Sequence, residues 1–97
     1  MIRHTVLFKW TPEATEEQKD QAEAEVAKLP TMVHSIREFV SGPDVGINEG
    51  NYDFAVTVDF DNEADFVAYR DDPGHREMIR RYITPILAQR AAVQFFY

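Results

Sequence analysis

The sequence predicts a single α+β domain, with a four-stranded antiparallel sheet that carries its helices on one face. Four segments alternate apolar and polar residues with the period of a strand, and the longer segments between them have helical spacing. The elements follow one another as β-α-β-β-α-β, the order of a ferredoxin-like arrangement. We therefore expect one ferredoxin-like domain over residues 1–97.

The strands are predicted over residues 2–10, 35–41, 52–60 and 92–97. The third has the clearest pattern, because every second residue is Tyr, Phe or Val. Residues 42–51 are rich in Gly, Pro, Asn and Asp and indicate a loop, which is either a functional segment or a plain hairpin connection.

The first helix is predicted from a capping box of Thr15 and Gln18 to about Leu29, where Pro30 ends it. Its apolar stripe is thin, since most of its residues are Glu, Asp, Lys or Gln. Such a helix covers one narrow face of a sheet.

The second helical region is predicted as two helices, over about 62–70 and 73–89, separated by a turn. Asp72 caps the second helix by accepting a backbone N–H bond, and Pro73 occupies the first helical position, where its missing N–H costs nothing. Arg90 then lies beside the negatively polarised end of this helix.

His75 is the leading candidate for a catalytic residue. It shares a helix face with Ile79, Tyr82 and Ile86, so its ring points toward the apolar interior. A neutral histidine in an apolar pocket acts as a general base, and Tyr69 across the turn donates a hydrogen bond to a carbonyl or enolate oxygen. The alternative is structural: His75 bonds a backbone carbonyl, or Tyr69 itself.

Three further residues are candidates for binding a substrate. His4 lies on the face of the first strand that meets the helices, and Phe54 and Tyr82 are expected in the core or the pocket wall. His4 is equally consistent with a core histidine satisfied by a neighbour. His34 sits in a predicted turn away from the other two histidines, so we expect neither a three-histidine metal site nor a cofactor.

Composition and charge exclude several classes of partner. The net charge of −7 argues against nucleic acid and anionic membranes, and the absence of cysteine excludes disulfides and thiolate sites. The first residues lack the pattern of a signal peptide, and no segment has the length of a membrane span. A cytoplasmic protein is therefore expected.

The sheet face away from the helices is predicted to be too apolar to remain in water. Burying it against a second copy gives a two-fold homodimer whose sheets close into a barrel. The residues expected on this face are Thr5, Leu7, Phe39, Ala55, Thr57 and Phe96.

Several motifs together resemble the Dabb family of dimeric stress-responsive α/β-barrel domains. A strand of the form H-x-V-L-F-K combined with a Y-x-x-x-P-x-H turn is fairly specific, and the similarity covers the whole chain. The matching segments are Ile2–Lys9, Phe39–Gly42, Tyr52-Asp53, Val58–Phe60, Tyr69 and Pro73–His75. This resemblance implies the same ferredoxin-like fold and dimeric barrel.

The resemblance also implies roles for individual residues. The family includes plant polyketide cyclases such as olivetolic acid cyclase, which close a linear polyketide by aldol condensation without a cofactor. Their working histidine and tyrosine match His75 and Tyr69, and a further pocket histidine matches His4. Phe54 replaces a third-strand histidine of the cyclase, so the same substrate is not expected.

Some members of the family bind Mg²⁺ through backbone carbonyls, which correspond to Val33 and Ile36 here. Because carbonyl ligation leaves no side-chain signature, the sequence does not test this site.

Three functional hypotheses follow. The first is a homodimer with a small apolar pocket that binds an aromatic or polyketide-like molecule and cyclises or isomerises it by His/Tyr proton transfer. The second is a non-catalytic stress-response or stability protein. The third is a cofactor-free monooxygenase of the related dimeric barrel superfamily.

Overall fold

The computed structural model describes residues 1–97 as one antiparallel sheet with helices packed on one face. The strands are β1 (Ile2–Trp10), β2 (Glu38–Pro43), β3 (Phe54–Phe60) and β4 (Leu87–Phe96). They lie in the order β2-β3-β1-β4, and every neighbouring pair is antiparallel. The prediction of a ferredoxin-like β-α-β-β-α-β fold is confirmed.

The first helix, α1 (Glu16–Val26), begins at the predicted capping box. The backbone N–H of Gln18 donates to the Thr15 hydroxyl, and the backbone N–H of Thr15 donates to the Gln18 side chain. The predicted end at Leu29 is wrong, because α1 stops at Val26 and a separate short helix, α2 (Leu29–Met32), follows. Pro30 lies in the first turn of α2, where its missing N–H is tolerated, and so does not terminate a helix.

The second helical region is more broken than predicted. It consists of α3 (Glu63–Asp71), α4 (Pro73–Met78), a π-helical segment (Ile79–Ile83) and a 3-10 turn (Thr84–Ile86). None of the helices has the length and apolar composition needed to cross a membrane.

The last strand begins at Leu87 rather than at the predicted Ala92. Pro85 has no N–H to continue a helix, and β1 offers a partner for a longer strand: its register pairs Trp10 with Leu87 and Ile2 with Phe96. Cross-strand pairing therefore overrides the helical spacing that the sequence shows up to Gln89.

Strands β2 and β3 are also displaced from their predicted bounds. Strand β2 spans 38–43 rather than 35–41, because Gly42 and Pro43 pair with Ala55 and Phe54 of β3. Strand β3 begins at Phe54 rather than Tyr52. The intervening loop is closed by a hydrogen bond from the backbone N–H of Asp44 to the carbonyl of Asp53.

The core lies between the sheet and the helices. The rings of Phe8, Trp10 and Phe54 stack with centroids 5.7–6.1 Å apart at one end of the covered face. Phe60 packs against Phe66 and Tyr69 at the other end. His4 lies on the same face and is almost fully buried.

The opposite face of the sheet is open and largely apolar. Among its residues, Leu7, Val40, Val93 and Phe95 are 36%, 65%, 55% and 45% exposed. Thr5 stands between Thr57 and Val93 on the neighbouring strands, and Leu7 stands between Ala55 and Ala91.

Two residues predicted on the open face, Phe39 and Phe96, lie on the covered face. Phe39 pairs with Val58, whose side chain is buried under the helices, so Phe39 packs against the core. Phe96 pairs with Ile2, which is also on the covered face. Since the side-chain period of a strand is two, the one-residue difference in register reverses the face.

Candidate active site

A cavity of about 80 Å³ lies between the covered face of the sheet and the helices. Its polar side chains are those of His4, Tyr69, His75 and Arg90. The remaining lining residues are apolar: Val6, Phe8, Val26, Leu29, Val56, Met78, Ile79, Ile83 and Leu87. No carboxylate lines this space.

His75 is fixed by the turn that the sequence singled out. Asp72 accepts the backbone N–H of His75 at 2.9 Å, and Pro73 begins α4 between them, as predicted. The ring Nδ1 of His75 lies 2.8 Å from the carbonyl oxygen of Tyr69. Because a carbonyl only accepts, Nδ1 carries the proton and donates, and this leaves the lone pair on Nε2.

The reactive atoms of His75 and Tyr69 are both without a partner in the protein. The two rings stack with centroids 4.1 Å apart and planes inclined by 27°. Neither His75 Nε2 nor the Tyr69 hydroxyl makes a hydrogen bond, and no side-chain polar atom of the chain is both unpaired and sealed from solvent. These two atoms therefore remain accessible within the cavity that their residues line.

Burial keeps both groups uncharged near neutral pH. Desolvation lowers the pKa of His75, against the opposing effects of the hydrogen bond to Tyr69 and the charge of Asp72. Desolvation also raises the pKa of Tyr69 to about 12. His75 is thus available as a proton acceptor, and the Tyr69 hydroxyl keeps its proton to donate.

His4 approaches the same space from strand β1. The side-chain amide nitrogen of Gln94 on β4 lies 2.7 Å from His4 Nδ1. An amide nitrogen only donates, so Nδ1 accepts and the neutral ring carries its proton on Nε2. Burial and the charges of Arg90 and His75 lower the pKa of His4 to about 4. His4 is therefore a neutral hydrogen-bond donor.

The two histidines consequently have opposite tautomers. His75 offers a lone pair, while His4 and Tyr69 offer protons. The rings of His4 and Tyr69 are 6.1 Å apart, and Tyr69 lies directly against His75. A base beside two donors is the set of groups needed to remove a proton next to a carbonyl and to stabilise the resulting oxyanion.

Comparison with known proteins assigns the chain to a family. The sequence profile of the Dabb family, described as Stress responsive A/B Barrel Domain, matches residues 2–97. The chain belongs to the Dabb family.

Solved structures share the fold of this chain. A dimeric ferredoxin-like protein of unknown function from Thermobifida fusca is 43% identical, with a TM-score of 0.90 over 99% of this chain and 90% of that chain. A similar dimeric protein from Bacteroides fragilis is 25% identical, with a TM-score of 0.84 over 99% and 95%. The hydroxynitrile lyase of Passiflora edulis is 20% identical, with a TM-score of 0.85 over 99% and 92%. Among curated proteins, none matches this chain.

Two residues predicted to bind substrate do not line the cavity of this Dabb domain. Phe54 is buried against Phe8 and Trp10 in the core, and it borders a separate groove beside the loop between β2 and β3. Tyr82 is half-buried and packs against the edge of the core, outside the cavity, with the Arg81 guanidinium 5.2 Å from its ring centre. The π-helical segment moves Tyr82 away, because its wider turn changes the helix face on which each residue lies.

Arg90 is the cavity residue that the sequence did not indicate. It was predicted beside the end of a helix. Instead it lies on β4 opposite Phe8, on the face of the sheet that lines the cavity. The signal was present in the alternation along residues 87–96, where Arg90 and Gln94 share one face. Recognising it required placing the start of β4 at Leu87.

The Mg²⁺ site that the resemblance implies at the backbone carbonyls of Val33 and Ile36 stays a prediction. The carbonyl of Val33 accepts one hydrogen bond, from the backbone N–H of Ile36 at 3.4 Å, which leaves its second lone pair free. We derive no step through a metal.

Proposed function

We propose that this Dabb protein binds a small carbonyl compound in the cavity and moves a proton on it. His75 is the base, and Tyr69 and His4 are the hydrogen-bond donors. The observation that carries the proposal is the pair of opposite tautomers, fixed by the Tyr69 carbonyl on one side and by Gln94 on the other.

The chemistry requires no cofactor. Nε2 of His75 takes a proton from the carbon next to the carbonyl. The electron pair of that C–H bond forms a carbon–carbon double bond, and the π pair of the carbonyl moves to its oxygen. The enolate oxygen accepts hydrogen bonds from Tyr69 and His4, whose neutral state keeps them protonated. If the enolate is conjugated with a further double bond, return of the proton from His75 to the far carbon isomerises the substrate. If the enolate carbon attacks a second carbonyl of the same molecule, a ring closes, and the alkoxide formed takes the proton from His75.

The size of the cavity limits what enters it. Pockets for drug-sized ligands have volumes of roughly 300–1,000 Å³, whereas this cavity has about 80 Å³. We therefore propose a short carbonyl compound, or one end of a longer aromatic or polyketide-like molecule. The apolar lining favours a hydrocarbon portion beside the reacting carbonyl.

Known structures support a catalytic use of this fold. One neighbour is a hydroxynitrile lyase, so a protein with this architecture does act as an enzyme. At 20% identity the similarity supports the fold and not the substrate. The proposal for the present chain therefore depends on its own histidines.

We also propose that the protein is a homodimer joined through the open face of the sheet. The 43% identical relative is described as dimeric, and so is the 25% identical one. Leu7, Val40, Val93 and Phe95 form an apolar surface that a second copy buries. The cavity lies on the other side of the sheet and remains free.

Exchange of α-protons for deuterium in D₂O tests the proposed chemistry directly. A short ketone is incubated with the protein, and the loss of its α-proton signal is followed by NMR. The wild type is expected to accelerate exchange, and His75→Gln is expected to abolish the acceleration. His34→Gln is the matched control, because His34 is exposed and outside the cavity.

A non-catalytic domain is the second candidate. One observation favours it: the hydrogen bonds of His75 and His4 also satisfy two buried polar rings, as a structural role requires. In that case the wild type gives no exchange with any ketone tested, and His75→Gln lowers only the melting temperature.

A further inference from the structure

Arg90 is the one charged residue among the four polar residues that line the cavity. It is on the covered face of β4, and its guanidinium makes no hydrogen bond or salt bridge within the chain. Four of the other six arginines are paired with a carboxylate elsewhere in the structure; Arg3, for example, is paired with Asp59 and Arg80 with Glu77. An exposed guanidinium without a carboxylate is available to a ligand.

The surroundings of Arg90 make the cavity positive in a protein whose net charge is −7. His4, His75 and Tyr69 are neutral near pH 7, and no Asp or Glu lines the space. The charge of Arg90 reaches these groups, since it lowers the pKa of both His4 and Tyr69. A local positive field with no internal counter-ion attracts an anion.

We propose that Arg90 makes the cavity selective for an oxo acid, a small carbonyl compound that also carries a carboxylate. This inference rests on the proposed function and adds the substrate class. The carboxylate lies against the guanidinium, which binds carboxylates through paired N–H donors. The carbonyl then lies toward His75, with Tyr69 and His4 beside its oxygen.

Two isosteric ligands separate charge from shape. Acetoacetate and acetoacetamide have the same heavy-atom skeleton, and only the first carries a negative charge. Each is titrated into the full-length protein at pH 7, and the ring resonances of His75 and His4 report binding. We expect acetoacetate to bind about tenfold more tightly, as for a charge-assisted hydrogen bond at a partly exposed site.

Two variants make the test specific. Arg90→Gln is expected to remove the preference for acetoacetate, because Gln keeps a hydrogen-bond donor at this position and loses the charge. Arg81→Gln removes the same charge from the surface, where Arg81 lies over Tyr82 and outside the cavity. It is expected to retain the preference.

The outcomes distinguish this inference from the proposed function. If acetoacetamide binds as tightly as acetoacetate, or if the preference survives in Arg90→Gln, the role of Arg90 is overturned and the cavity remains a carbonyl site. If neither ligand perturbs His75 or His4, both proposals fail.

Discussion

The imidazole of His75 lies face to face with the ring of Tyr69, at a centroid distance of 4.1 Å, and bonds the carbonyl of the same residue at 2.8 Å. One residue thus fixes both the position of the base and its tautomer. The hydroxyl of Tyr69 remains free for a ligand. The turn at Asp72 and Pro73 makes this arrangement possible by bringing the end of α3 beside the start of α4.

Tyr69→Phe tests the role of the hydroxyl alone, because it removes this group and keeps the ring and the backbone carbonyl. His75 therefore keeps its position while the oxyanion loses one donor. We expect α-proton exchange to slow by roughly tenfold to a hundredfold, less than the roughly hundredfold or greater loss from removing the base. Deuterium incorporation measured by NMR checks this, and an unchanged rate in Tyr69→Phe would rule out its role as a donor.

Asp72 is expected to affect both stability and the basicity of His75. Asp72→Ala removes the cap of α4 and lowers the free energy of unfolding by about 1 kcal/mol. Asp72→Asn keeps the cap and removes the charge that raises the pKa of His75, so that pKa falls further while stability is largely retained. Thermal denaturation and histidine titration by NMR measure the two effects. Equal destabilisation by both variants would contradict the cap.

The elements that the sequence predicted well are those governed by local rules. The Thr15–Gln18 capping box and the Asp72-Pro73 start of α4 depend on a few adjacent residues, and both occur as predicted. The alternation of β1 is also confirmed, since β3 pairs with it over Ile2–Phe8 and β4 over Ile2–Trp10, with one irregularity between Lys9 and Trp10.

The features that the sequence missed depend on long-range pairing. The start of β4 is set by β1, and the face of Phe39 is set by its register with Val58. Arg90 lines the cavity because β4 starts at Leu87 and therefore includes it. The tautomers of His4 and His75 depend on partners 90 and 6 residues away along the chain, and the partner of His4 has no local signal.

The stability of the protein is expected to fall in mild acid because of His4. Its pKa is about 4 in the folded chain and 6.5 ordinarily, so between these values the unfolded chain binds a proton that the folded chain does not. Above pH 6.5 the His4 ring is neutral in both states and does not reduce the free energy of unfolding. As the pH falls from 6.5 toward 4, protonation of His4 in the unfolded chain lowers the free energy of unfolding progressively. The loss amounts to about 2 kcal/mol after allowing for partial access of solvent.

Denaturant unfolding at several pH values measures this loss. His4→Gln should show a smaller decrease in the free energy of unfolding between pH 6.5 and 4, with the remainder due partly to His75. His34→Gln should retain the full decrease, because His34 is exposed. An identical pH dependence in His4→Gln and the wild type would show that His4 is not neutral in the folded state.

A charge on the open face is expected to disrupt the homodimer. Val93 is 55% exposed on this face, and Val93→Glu would place a carboxylate in an apolar interface. Size-exclusion chromatography with light scattering should show a dimeric wild type and a monomeric, folded variant. Met32→Glu is the control, since Met32 is 41% exposed in the helical layer. A dimeric Val93→Glu, or a monomeric wild type, would refute this interface.

Long-range ¹H–¹⁵N NMR of the histidine side chains at pH 7 tests the central claim most directly, because it reports which ring nitrogen carries the proton. The account predicts that His75 is protonated on Nδ1 and His4 on Nε2 at pH 7, and that the His4 ring stays neutral as the pH falls to 6. A lone pair on His75 Nδ1, a proton on His4 Nδ1 or a charged ring at pH 7 would contradict it, because the cavity would then lack its base beside its donors.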